Sequence, residues 1–300
     1  MSGAAPSAGE RRLAIALVFV TPALWSVNYL VARWAPDVIA PHMLALWRWA
    51  IAAALLGAFC WREIADKRGA IRTEAWRFIV LGALGMWVCG AFVYIGGRST
   101  SAVNISLIYA GSPVVIALVS ALWLHERFGP RQWLGVVLAI AGVVHIVIKG
   151  QWAALWEVRI NGGDAWVAVA MVCWAAYSLL LRAWPSAFGA LARLTLIACG
   201  GVLVLLPLTV IEAVWWWPST LSWRSVGLVL ASALLPGAAA YGAYSVMQRV
   251  LGAARVGMVL YLGPLYAAIA AWLLLGESVE RFHFVGAVSV LSGIALATRR

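Results

Sequence analysis

Asn28 and Tyr29 follow Trp25 by three and four residues, and Tyr177 and Ser178 follow Trp174 in the same way, so each trio shares one face of a helix. Asn104, Ser106, Tyr109 and Ser112 add an amide, two hydroxyls and a phenol along another stretch, and Tyr94, Tyr241, Tyr244 and Tyr261 stand inside apolar runs. The chemistry these groups offer is recognition: rings pack an apolar body, while amides and hydroxyls meet a polar head. The same groups also tie membrane helices together by hydrogen bonds, and for any single residue that packing role competes. Reaction chemistry has little to build from. The sequence holds no HExxH, no GxSxG, no GxxxxGK and no pair of aspartates inside an apolar stretch, so an enzyme is not expected. Cys60, Cys89, Cys173 and Cys199 sit in apolar runs without a CxxC pair or a neighbouring histidine, which argues against a metal or redox centre, and no cofactor is expected.

Charge inside the apolar stretches is sparser still. The acidic residues are Glu10, Asp37, Glu63, Asp66, Glu74, Glu126, Glu157, Asp164, Glu212, Glu277 and Glu280, and none stands in mid-stretch. Proton-coupled carriers and cation exporters rely on a buried carboxylate, so little or no proton coupling is expected; His145 is the nearest substitute. Arg48 and Arg193 lie one to two turns inside their helices, where a long cationic side chain snorkels to the interface; their matched placement also allows a gate. Pro113 and Pro264 interrupt two long apolar stretches near the middle. Each proline removes a donor and frees the carbonyl four residues back, at Tyr109 and Leu260. That makes either a hinge with an acceptor for an ammonium group, or a packing kink satisfied by neighbouring helices.

These residues need a scaffold, and composition names its solvent. Of 300 residues, 64% are hydrophobic and 11% charged, against roughly a quarter charged in soluble domains. So much apolar surface calls for lipid. Apolar stretches near the ~20 residues that span a bilayer fall at about 13–35, 41–61, 77–97, 102–124, 131–149, 165–183, 188–213, 223–247, 252–275 and 281–297. The expected class is an all-α integral membrane protein of ten transmembrane helices. The net charge of +11 lies in short loops and reads as membrane orientation; no nucleic-acid partner is implied. Fourteen Lys and Arg residues fall on the N-terminal side of the spans and six on the other, which places both termini in the cytoplasm and the protein in the inner (plasma) membrane. MSGAAPSAGERR followed by LAIALVFV has the outline of a signal peptide, but the apolar run continues to about Trp34 without an AxA-type site, so a retained first helix is expected. Trp61, Trp76, Trp133, Trp166, Trp184 and the run Trp215 to Trp217 mark the interfaces.

The chain also repeats itself. A shift of 151 residues lays Pro113 on Pro264, Glu126 on Glu277, Gly135 on Gly286 and Gly142 on Gly293. A shift of 149 lays Trp25 on Trp174, Leu30 on Leu179, Arg33 on Arg182 and Pro36 on Pro185, and a slightly smaller one matches ALWR at Arg48 with ALAR at Arg193. The expected units are 1–150 and 151–300, divided at the NGGD turn signal. Five helices per unit is odd, so the two copies insert in opposite directions as an inverted repeat, and both prolines land near the midplane.

A tandem five-helix unit with S-P or G-P, an apolar run to H-E or G-E, then a G-x6-G helix resembles the EamA-type members of the drug/metabolite transporter superfamily. Here the motif runs from Ser112–Pro113 to Glu126 and from Gly263–Pro264 to Glu277. Length and tryptophan abundance look like the YddG-type exporters of aromatic amino acids. The resemblance implies a ten-helix basket whose cavity is lined by helices 1, 3, 4, 6, 8 and 9 and which works by alternating access. The small multidrug exporters of the superfamily rely on a glutamate in helix 1, and the first stretch here has none. The expected function is export of amino acids, aromatic ones included, by a facilitative carrier. Its substrate site would draw on Trp25, Asn28, Tyr29, Tyr94, Asn104, Tyr109, Ser112, Trp174, Tyr177, Ser178, Tyr244 and Tyr261, with Pro113 and Pro264 as hinges. A drug/metabolite proton antiporter and a lipid-translocating protein are the alternatives.

Overall fold

The computed structural model describes residues 7–113, 115–116, 119, 129–148, 150–153, 161–216, 219, 221–251, 262–263, 266, 269–270, 272–273 and 280–298. Among these it is helical throughout. Nine helices appear: α1 (Ala8–Trp34), α2 (Pro41–Asp66), α3 (Arg68–Gly96), α4 (Ala102–Ala110), α5 (Pro130–Val147), α6 (Gly162–Ala183), α7 (Ala190–Trp215), α8 (223–251) and α9 (Arg281–Thr298). Each falls on a predicted apolar stretch, α9 being the tenth; the ninth stretch, with Tyr261 and Pro264, lies almost wholly outside the described residues, as do Glu126 and Glu277. Among the described residues, six helices are long and apolar enough to cross a membrane: α1, α2, α3, α6, α7 and the Trp223–Tyr244 part of α8.

The starts follow from local chemistry. Ser7 with Glu10, Asn161 with Asp164 and Ser222 with Ser225 close reciprocal caps at α1, α6 and α8, satisfying backbone donors that the helix cannot. Pro41 opens α2 at a position where no donor is needed. Two helices then depart from regular geometry at mid-length. Ala83–Phe92 in α3 and Ala233–Ala239 in α8 are wound as wider π turns, the second containing Pro236. Such turns re-aim side chains and concentrate at functional sites.

Hydrogen bonds between helix ends give the directions. At the near end of the bundle, where α1 begins, the end of α2 meets the start of α7 through Glu63 and Gly189. At the far end the start of α2 meets the end of α7 through His42 and Glu212. Those two helices therefore run antiparallel over their length.

With lipid as solvent, helix association depends on close packing rather than on hiding apolar surface from water. Small residues supply it. A Cβ on Gly142 of α5 would come within 2.8 Å of the Gly286 carbonyl oxygen on α9, and one on Gly293 within 2.6 Å of the Gly135 carbonyl oxygen. The two G-x6-G helices thus cross glycine on glycine. A Cβ on Gly82 of α3 would run into the Gly201 nitrogen of α7, so that pair touches backbone to backbone as well.

Candidate functional site

Rings from α1, α2, α6 and α8 converge in the buried middle of the bundle. Trp25 of α1 meets Trp174 of α6 at a centroid distance of 6.0 Å, and Tyr241 and Tyr244 of α8 at 5.9 and 5.4 Å. Tyr177 stacks on Trp174 at 5.4 Å, and Tyr241 presents its edge to Trp174 at 5.8 Å and to Trp49 of α2 at 5.0 Å. Tyr29 lies 6.4 Å from Tyr109 of α4, and a Cβ on Gly263 would fall 3.9 Å from the Tyr29 hydroxyl. The π segment of α3 makes room: a side chain on Gly85 would strike the Tyr177 ring at 2.8 Å, and one on Gly90 would sit 3.5 Å from the Trp49 indole nitrogen. All but two of the predicted aromatic residues sit in this assembly; Tyr94 joins it through its hydroxyl, and Tyr261 is not described. Trp49 and Tyr241 join it as well.

At its edge stands a charge. Arg48 is 3% exposed and does not snorkel. Its Nη1 donates to the Asn28 side-chain oxygen at 2.7 Å and to the Tyr94 hydroxyl at 3.0 Å, and its Nη2 reaches the Pro236 carbonyl in the π segment of α8 at 3.5 Å. Tyr94 in turn donates to Asn28 at 2.8 Å. The guanidinium lies 4.8 Å from the centre of the Trp49 ring, a cation–π placement. Every hydrogen-bond partner is neutral. The ion pairs among the described residues are His42–Glu212, Lys67–Glu63 and Arg98–Asp37, and none includes Arg48. A chain of dipoles and one π face therefore hold a buried positive charge with no counter-charge among the described residues, an expensive arrangement in a membrane interior. Reading Arg48 as an interfacial residue missed this, because depth in a helix cannot be told from rotation in sequence alone. The available signals were its matched placement with Arg193 and the absence of acids in mid-stretch.

The remaining predicted residues go elsewhere. Ser112 donates its hydroxyl to the Tyr109 carbonyl at 2.7 Å, the carbonyl that Pro113 frees, and Ser178 donates to the Trp174 carbonyl at 2.9 Å. Both hydroxyls are spent on their own helices. Asn104 sits at the far end, 3.5 Å from Asp164 and beside Thr100, which also bonds that carboxylate. Arg193 donates to the Leu181 and Trp184 carbonyls at 2.9 and 2.8 Å, capping the end of α6 where a cation also suits the helix dipole.

Each end of the bundle carries a clamp on one linker. At the near end the α6–α7 linker is held by Glu74 on the Ala187 amide at 2.8 Å, Arg77 on the Pro185 carbonyl at 3.0 Å, Lys67 on the Ala187 carbonyl at 2.7 Å and Glu63 on the Gly189 amide at 2.7 Å. At the far end Glu212 takes the His42 and Met43 amides at 2.8 and 3.2 Å and the His42 ring at 2.7 Å, while Ser219 takes the Ala40 amide at 3.0 Å. Glu63 and Glu212 are 149 residues apart, and each caps the first turn of the other's helix. That correspondence lay in the sequence and was missed, since the 149-residue shift was followed only at Trp25, Leu30, Arg33 and Pro36.

Comparison with known proteins gives a consistent picture. The EamA-like transporter family matches residues 12–148 and again 161–299. The uncharacterized transporter YyaM of Bacillus subtilis is 25% identical over 274 residues, covering 90% of this chain and 88% of its own. An uncharacterized transporter of Archaeoglobus fulgidus is 26% identical over 286 residues, 95% and 96% of the two chains. The S-adenosylmethionine/S-adenosylhomocysteine transporter of Chlamydia trachomatis is 26% identical over 282 residues, 89% and 83%. A crystal structure shares the fold with a TM-score of 0.70 at 20% identity, over 95% of this chain and 96% of that one. Clustered rings and a buried cation inside a bundle of membrane-crossing helices, in a sequence matched twice by one transporter family, make this chain a member of the EamA-like transporter family and a multi-pass membrane transporter.

Proposed function

We propose that the protein is a facilitative carrier that exports amino acids, aromatic ones included, across the inner membrane by alternating access. The observation that carries this reading is the meeting of two chemistries at one buried point: rings from five helices beside the Arg48, Asn28 and Tyr94 network. An amphipathic solute needs both. Trp25, Trp174, Tyr109 and Tyr261 pack its apolar side chain, and Asn28 meets its polar head. The YddG-type exporters are the proposed comparison within the superfamily.

The two halves, 1–150 and 151–300, act as inverted repeats of five helices each, with both termini in the cytoplasm. The antiparallel course of α2 and α7 and the matched clamps support that arrangement. Releasing one clamp while the other holds opens the central site to one side at a time, and Pro113 and Pro264 bend the fourth and ninth helices as it does so. The acid-free middle of the spans supports transport without an obligate proton partner.

A second reading is favoured by the Chlamydia relative, whose name gives S-adenosylmethionine as its cargo. That solute joins an amino-acid head to an aromatic base and presents the same two parts to the site. The test is initial-rate uptake of labelled tryptophan into proteoliposomes over a wide concentration range. Saturation with competition by phenylalanine is expected. Rates that stay linear with concentration indicate a channel, and uptake that requires a pH gradient indicates a proton antiporter.

A further inference from the structure

We infer that Arg48 is the recognition centre for a carboxylate, so that the substrate must carry that group and need not carry an ammonium. The inference rests on the amino-acid reading and deepens it. Three features of the site support it. Arg48 is buried, positively charged and paired with no carboxylate among the described residues. A lone guanidinium in a medium of low dielectric is completed by an anion of matching fork geometry, and a carboxylate is the one that amphipathic metabolites carry.

The donors around it are in surplus. Among the described residues, Arg48 Nε and the indole nitrogens of Trp49 and Trp174 are buried and make no hydrogen bond. Trp49 lies under the guanidinium, and Trp174 is joined to Trp49 through Tyr241. Unsatisfied donors call for acceptor oxygens, since a buried polar group left unpaired is costly.

The third feature is an asymmetry. A carboxylate is the strongest partner for an ammonium group, and the spans carry no acid in mid-stretch, which leaves ring faces and carbonyls to meet one. The carbonyl of Tyr109, which Pro113 releases, already takes the Ser112 hydroxyl. Arg48 therefore gives the carboxylate end of a zwitterion the stronger anchor among the described residues. A 2-amino acid and its deaminated analogue fit it alike, while an aromatic amine is repelled by Arg48.

The ligand panel on the unaltered protein tests this directly. Purified protein is titrated with tryptophan, indole-3-propionate and tryptamine, reading thermal stabilisation, and the same three compounds compete with labelled tryptophan in proteoliposomes. The expected order places tryptophan and indole-3-propionate within about threefold of each other and tryptamine at least tenfold weaker. Arg48→Gln lowers affinity for both acids about 10- to 100-fold and erases their advantage over tryptamine, while Arg48→Lys keeps part of it. Size-exclusion profiles of the variants report folding, and the wild-type panel stands without them. Tryptamine competing as well as tryptophan overturns the role of Arg48 and leaves amino-acid transport intact. Stabilisation by the two acids without any transport of tryptophan overturns the carrier reading and keeps Arg48 as a carboxylate site. No response to either acid overturns both.

Discussion

At the scale of the residue, the site separates into groups that face a ligand and groups that serve their own helix. Trp25 touches three other rings, so Trp25→Ala removes a wall of the cluster. We expect it to raise the tryptophan KM by about tenfold or more in proteoliposome uptake. Ser112→Ala is the contrasting case. Its hydroxyl is committed to the Tyr109 carbonyl, so KM should stay within about twofold and only thermal stability should fall slightly. An equal loss in both variants contradicts this division. The aromatic half of the site was legible because tryptophans and tyrosines at helical spacing reveal a shared face. Arg48 was not, because its partners Asn28, Tyr94 and Pro236 come from three other helices whose rotations no periodicity fixes.

At the scale of the element, glycine and proline decide how near two helices come and where one of them widens. Gly142→Ile on α5 drives a branched side chain into the Gly286 carbonyl of α9. We expect it to lower the melting temperature of the purified protein by several degrees. Gly227→Ala, on α8 with nothing within 4 Å of the added carbon, should leave it unchanged or slightly raised. Both G-x6-G motifs stood out in the sequence through the 151-residue shift, although nothing there said they pack on each other. The π segments were invisible. Gly85, Gly90 and Pro236 are compatible with regular transmembrane helices, and only the crossing partners Tyr177, Trp49 and Arg48 show why the wider turns sit where they do.

At the scale of the whole molecule, one family unit is matched twice along the chain, over residues 12–148 and 161–299. The repeat could be read from Pro, Trp, Arg and Glu recurring in order, and the structure adds a further matched pair that was not among them, Glu63 at the start of α7 and Glu212 at the start of α2. What could not be read is how two linkers, far apart in sequence from their partners, are gripped by them. On the proposed reading such a molecule binds at the centre and releases at either end, as a carrier does. The most direct measurement is counterflow at equal pH on both sides: proteoliposomes preloaded with unlabelled tryptophan are diluted into trace labelled tryptophan. The account predicts a transient, saturable overshoot of label inside the vesicles. Label that merely equilibrates, with no overshoot, contradicts it.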